Sequence, residues 1–306
     1  MLTYLKDNNY AHMSEGALVV DVQDEDDNKK IPPCLLVKSD GATLYATTDL
    51  ATIVSRISEY NADEIIYIVD NRQALHFEQI FRCARKTKIV SEDNKLKFIG
   101  FGTMNGTEGK PFKTRDGGVM RLETLIDNIV EEVEKKTLEV GVKKVHKEDL
   151  LKIAIAAIKY ADLSNQINKD YIFDVEKFIS FEGNTGPYIQ YTVVRINSLL
   201  EKINYSKEIE FDNIIEPFLK EEVDLVFKMV QFNEVMETCG LECSPNKLCN
   251  YIYELAVLCN RFYNKYRVIT EENIIRRNQW VFQLDSARRI LTELLKNLAI
   301  EVPDEM

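Results

Sequence analysis

Apolar residues in the first 140 or so positions follow two alternating rhythms. Three short runs, LLV at 35–37, IIYIV at 65–69 and FIGFG at 98–102, are rich in β-branched residues or punctuated by glycine. Such runs predict buried strands of a parallel sheet. Between them the period lengthens. Leu50, Ile53, Val54 and Ile57 follow i, i+3, i+4, i+7 spacing, and Phe77, Ile80, Phe81 and Ala84 share a helical face within 76–86. The alternation predicts an α/β unit with right-handed crossovers, whose ligands sit beyond the carboxyl ends of the strands. About three strands are visible where a doubly wound sheet usually has five or six. The expectation is a partial sheet, so that the chain is a fragment or pairs with something.

Beyond residue 146 only the helical period remains. Residues 150–164 form a strongly apolar segment, and 188–203, 221–239, 246–266 and 281–300 are amphipathic. Gly183 to Pro187, Pro217, and Gly240 with Pro245 punctuate them. This predicts an antiparallel helical bundle. The acidic run DEDDNKK at 24–30 reads as an exposed loop or hairpin turn.

With 306 residues there is room for two domains with their own cores. No stretch approaches the roughly 18 apolar residues of a membrane span. The opening MLTYLKDNNY lacks the basic and apolar regions of a secretory leader, so the cytoplasm is the expected compartment. Six cysteines without a CxxC pair, and three scattered histidines, argue for free thiols and against a bound metal. A formal charge of −11 argues against a protein that coats nucleic acid, but not against a local basic face. Residues 261–289 hold seven Arg/Lys against three acids, a net +4, which suits a solvated helix surface or an RNA-facing one.

Three segments carry candidate chemistry. In SDGATLYATTDLA (39–51), Tyr45 and Asp49 stand four residues apart where a strand gives way to a helix. A hydroxyl and a carboxylate so spaced can converge on a small cation, a guanidinium above all. The spacing on its own favours Asp49 as the cap of a helix beginning at Leu50. In YIVDNRQALHFEQIF (67–81), Asp70, Arg72, Gln73 and His76 follow a strand. In GFGTMNGTEGKPFKTRDGGVMRL (100–122), glycines accompany Lys110, Lys113 and Arg115. Such a loop suits a triphosphate, or is a hairpin tip.

Taken in order, SDG-LY-TTDLA, YIVDNRQ-HF-QIF, FGTM-G-GKPFKTRDGG, AIAAIKYADLS and FEGNTGPYIQY resemble the arginyl-tRNA synthetases, from about Ser14 to Met306. The resemblance implies an α/β partial Rossmann-like nucleotide-binding fold followed by an all-α anticodon-binding bundle. It divides the chain into the second half of a class I catalytic domain (1–145), a helical connector (146–186) and the bundle (187–306). It implies an aminoacyl-tRNA ligase that joins L-arginine to its tRNA through arginyl-adenylate, with ATP as substrate and Mg2+ accompanying it. Tyr45, Asp49 and Gln73 then match arginine-binding residues, Asp49 facing the guanidinium. His76, Gly102, Met104, Lys110 and Lys113 fall to ATP. KPFKTR stands where the class carries KMSKS, with Lys113 and Arg115 as the catalytic cations. The loop departs from that signature in having Thr114 at its second lysine. Tyr188, Tyr191, Arg195, Tyr263, Tyr266 and Met306 fall to tRNA, with Arg195 toward a phosphate. No HIGH-type signature occurs, so the expectation is the C-terminal half of a longer or split enzyme. Alone it would be a tRNA-binding module unable to catalyse charging. The full-length enzyme is expected to be a monomer without a membrane partner.

Overall fold

The structure, a computed structural model, describes residues 1–110, 120–139, 145–203 and 218–306. Contacts divide it into two compact units, Met1–Gly102 and Thr103–Met306.

In the first unit a short helix α1 (Leu2–Asp7) precedes an antiparallel sheet of β1 (His12–Ser14), β2 (Ala17–Val20) and β3 (Cys34–Val37). Glu15 and Gly16 close the β1–β2 hairpin with φ of 49° and 81°. Both values are positive, as a two-residue primed turn requires. Helix α2 (Tyr45–Tyr60) follows, then β4 (Glu64–Asp70), a 3-10 turn (Asn71–Gln73), α3 (Ala74–Lys86) and β5 (Lys95–Phe101). β4 and β5 pair in parallel, Ile66 opposite Lys97 and Ile68 opposite Ile99. The connecting α3 supplies the crossover that a parallel pair needs.

Two of the three expected parallel strands are therefore parallel to each other. The third, β3, pairs antiparallel with β2. A short apolar run reads alike in either sheet, and only its pairing partner separates the cases. Leu50 and Ile53 of α2 pack with Leu36, Ile65, Tyr67, Phe77 and Ile80 in one core. Val54, expected on that face, is exposed. The acidic loop before β3 is anchored. Asp27 accepts from both Nη1 and Nη2 of Arg82 on α3, at 2.6 and 2.9 Å. Those bonds hold the Asp27 carboxyl below its ordinary range.

The second unit begins with β6 (Met104–Asn105), α4 (Leu122–Glu139), α5 (Lys147–Leu163), β7 (Tyr171–Ile172) and α6 (Val175–Phe178). β6 and β7 pair in parallel. The bundle helices are α7 (Gly186–Lys202), α8 (Lys220–Val230), α9 (Phe232–Glu242), α10 (Pro245–Lys265) and, after a 3-10 turn at Val268–Thr270, α11 (Ile274–Asn297). Helices α4 and α5 pack on each other across the expected boundary at residue 145. The single helix expected over 221–239 is two, parted at Gln231. Helix α11 starts at Ile274, seven positions before the expected 281, because Asn273 Oδ1 accepts from Arg276 N and caps it there.

The GNTGPYIQY segment builds the start of α7. Thr185 Oγ1 accepts from Tyr188 N, and Pro187 occupies the first turn, where a missing N–H costs nothing. The Tyr160 hydroxyl on α5 lies 2.7 Å from Asn184 Oδ1 and 2.8 Å from Cys249 O, which ties α5 to α10. A Cβ on Gly186 would fall well inside 3.0 Å of the Ala156 carbonyl. Glycine therefore sets how closely α7 approaches α5.

Candidate functional site

The first candidate site lies where two helical segments follow strands. Helix α2 has Leu44 as its N-cap, so Asp49 sits in the second turn and cannot cap it. Thr47 Oγ1 donates to the Leu36 carbonyl and ties the start of α2 to β3. Tyr45 lies one turn before Asp49 on the same face and is 85% exposed. The Asp49 carboxylate meets His76 of α3: Nε2 to Oδ2 is 2.7 Å, with the two side chains 31% and 29% exposed. An ionised carboxylate only accepts, so Nε2 carries the proton in this contact. The His76 ring is fixed edge-on against Phe77, at 5.1 Å between centroids.

Gln73 stands one turn before His76, exposed at the end of the 3-10 turn. Asp70 holds that turn. It accepts from Arg72 N at 2.8 Å and from Arg72 Nε and Nη2 at 2.8 and 2.6 Å, which lowers its carboxyl to about 2. Asn71 leans on β5, and a Cβ on Gly100 would collide with its Oδ1. Tyr45 and Asp49 thus form one same-face pair, Gln73 and His76 a second, and the Asp49–His76 bond joins the two. His76, expected on the nucleotide side, is the partner of the carboxylate expected to meet arginine.

Gly102 ends the first unit. Met104 packs against the α4–α5 core, so its side chain is a core contact. Lys110 is exposed in a turn, its carbonyl accepting from Gly106 N at 2.8 Å. Lys113 and Arg115 lie outside the described residues.

The second candidate site lies between α7 and α10. Asn260 Nδ2 donates to the Tyr188 hydroxyl at 3.1 Å and to Thr192 Oγ1 at 2.7 Å, while its Oδ1 accepts from Arg195 Nη1 at 3.3 Å. Arg195 Nη2 donates to Asn264 Oδ1 at 2.8 Å, and its Cζ lies 3.9 Å above the Tyr263 ring centre. Burial raises the Tyr188 hydroxyl above its ordinary value, and its ring meets Tyr253. Tyr191 is exposed beside them.

Two expected RNA residues fall elsewhere. Tyr266 packs its ring on Phe262 and Trp280 and donates its hydroxyl to Glu221 at 2.6 Å. That bond and Lys265 lower the Glu221 carboxyl to about 2, with the Lys265 contribution the larger. Met306 packs against the α4–α5 core, drawn there by the end of the chain. Asp304 N donates to Asp149 and Gln190 donates to the Glu301 carbonyl. Nor is the +4 segment one continuous basic surface, since Lys265 pairs with Glu221 and Arg288 with Asp285. Asn260 and Asn264 escaped the sequence reading because uncharged amides carry no signal in a search for cations and rings. Their i, i+4 spacing was the only clue.

Comparison with known proteins identifies the family. Residues 1–175 match the family model described as "tRNA synthetases class I (R), catalytic domain". The chain belongs to the class I tRNA synthetases (R). A second model, the DALR anticodon binding domain, matches residues 189–306 of this synthetase chain. An arginine--tRNA ligase of Alkaliphilus oremlandii is 50% identical over 308 residues, covering 100% of this chain and 52% of the relative. One from Agathobacter rectalis is 47% identical over 321 residues, covering 100% and 53%. The chain thus spans about half the length of the curated relatives it matches. Among solved structures, the Thermus thermophilus arginyl-tRNA synthetase superposes with a TM-score of 0.85 at 20% identity, covering 100% of this chain and 57% of that one. The Plasmodium falciparum arginyl-tRNA synthetase gives 0.78 at 24%, covering 100% and 51%. At such identities the structures establish the fold: a class I catalytic part followed by a helical domain.

Proposed function

We propose that the protein carrying this chain is an arginine–tRNA ligase. It activates L-arginine with ATP to arginyl-adenylate and then transfers arginine to the terminal ribose of its tRNA. The 50% identity that runs through the whole chain, to a relative named for that reaction, supports this most. Asp49 suits the substrate: a carboxylate in the second turn of α2, held by His76, with Tyr45 on its own face, is a natural partner for a guanidinium.

In activation, an arginine carboxylate oxygen attacks the α-phosphorus of ATP and pyrophosphate leaves. ATP enters as its magnesium complex, as substrate. Gly102, Met104 and Lys110 would belong to the segment that serves ATP, Met104 through its backbone because its side chain packs in the α4–α5 core. Lys113 and Arg115 would stabilise the negative charge of the departing pyrophosphate. The α7–α10 face, with Tyr188, Tyr191, Arg195 and Tyr263, would receive the anticodon loop. The reading carries with it a cytoplasmic monomer.

The decisive assay is pyrophosphate formation by a protein of the relatives' full length. It should require arginine together with the cognate tRNA. Equal rates with another amino acid would refute the assignment. A second reading, favoured by the exposure of Ile66, Ile68 and Phe101 on β4 and β5 among the described residues, is that these 306 residues alone bind tRNA without charging it. Sustained aminoacylation by the 306-residue chain would exclude it.

A further inference from the structure

Three carboxylates of the first unit are held from α3 or from the turn that enters it, and they are held differently. Asp27 gives both oxygens to Arg82, and Asp70 gives both to Arg72. Asp49 gives one. Its Oδ2 meets His76 Nε2 at 2.7 Å, while its Oδ1 accepts no hydrogen bond among the described residues. The imidazole that holds it is itself rooted in the core. It stands at 85° to the ring of Phe77, which is 4% exposed. That ring in turn meets Tyr67 at 4.8 Å, Phe98 at 5.8 Å and Phe81 at 5.9 Å between centroids. The Asp49 side chain remains 29% exposed, so a solute can reach it.

The last torsion of an aspartate is broad, so an untethered carboxylate turns its plane readily. For an ammonium this matters little, because a point charge is met from any direction. For a guanidinium it matters, because a planar fork needs the carboxylate in its own plane. A bond from a fixed ring to Oδ2 sets that plane. It leaves Oδ1, and a second lone pair on Oδ2, to receive the fork. Resting on the reading that Asp49 meets the substrate side chain, we propose that His76 is a positioning residue. It fixes the plane of the Asp49 carboxylate and thereby selects a planar guanidinium over an ammonium. It acts through Asp49 and touches neither arginine nor ATP.

The experiment compares His76→Phe, His76→Ala and His76→Gln in an enzyme of the relatives' full length. Melting curves first establish that each keeps the wild-type fold. Phenylalanine keeps a ring against Phe77 and removes the N–H, whereas glutamine restores an N–H donor without the ring. Steady-state aminoacylation gives kcat, the KM for arginine and the KM for ATP, and lysine as a competitive inhibitor gives a Ki. His76→Phe and His76→Ala should raise the arginine KM about tenfold, with kcat within about twofold. The lysine Ki and the ATP KM should also stay within about twofold, so that discrimination against lysine falls about tenfold. His76→Gln should recover most of the loss. Added to Asp49→Asn, His76→Phe should cost less than about a further twofold, as for two residues acting through one contact. A wild-type arginine KM in His76→Phe, or an equal weakening of lysine, would overturn the positioning role alone, provided that Asp49→Asn still raises the arginine KM. A rise in the ATP KM without one for arginine would place His76 with the nucleotide and overturn it too. An arginine KM unchanged in Asp49→Asn would overturn both this role and the reading of Asp49 on which it rests.

Discussion

At the scale of single residues, Asp49 shows how a local rule and a distant partner compete for one side chain. An acid just before an apolar helical run is an ordinary cap. The helix begins four positions earlier, at Tyr45, so the carboxylate is left to face His76 across 27 residues of sequence. Removing its charge while keeping its shape tests what it faces. Asp49→Asn, in an enzyme of full length, should raise the KM for arginine roughly 10- to 100-fold, the worth of one hydrogen bond to a charged group. The KM for ATP should change by less than about twofold. Steady-state kinetics with each substrate varied in turn decides the matter, and parallel rises in both constants would reduce Asp49 to a structural residue. The Asp49–His76 bond itself was beyond sequence reasoning, because nothing in either segment specifies which side chains meet when α2 and α3 pack. Asn260 was hidden for the same reason: its three partners belong to another helix.

At the scale of elements, legibility followed periodicity. Helices α3, α5, α7 and α10 lie close to where their apolar spacing predicted them, because each buries one continuous stripe. Pairing direction was not legible for β3, whose four residues carry no signal of which strand lies beside them. The break at Gln231 was invisible too, since apolar positions continue through it. Gly186 is legible only with the structure in hand. Glycine at a helix start looks like mere permissiveness, yet here it admits the Ala156 carbonyl of α5. Gly186→Ala gains helix propensity, up to about 1 kcal/mol. It also forces a methyl into a backbone oxygen that cannot turn aside, and overpacking of this kind costs about 1–3 kcal/mol. The steric cost should win, because relief requires α7 to move away from α5. Urea unfolding should show a lower midpoint with an unchanged slope. A midpoint at or above wild type would mean that the α5–α7 contact is slack.

At the scale of the whole molecule, the parallel pair β4–β5 exposes apolar side chains on one face among the described residues. Ile65, Tyr67, Leu96 and Phe98 meet α2 and α3 in the core, whereas Ile66 and Phe101 are exposed on the opposite side and Ile68 is 61% so. Parallel sheets are ordinarily buried on both faces. The curated relatives are about twice as long as this chain. If the polypeptide of that length covers this face, one substitution should behave differently in the two settings. In the 306-residue chain Ile68→Lys replaces an exposed side chain, so stability should stay within about 0.5 kcal/mol of wild type, and aggregation should fall. In the full-length protein the same lysine would be buried without a partner, at a cost on the order of 3 kcal/mol. Paired denaturant titrations of both lengths measure the difference. Equal, small effects in both would show that the face stays open to solvent in the longer protein.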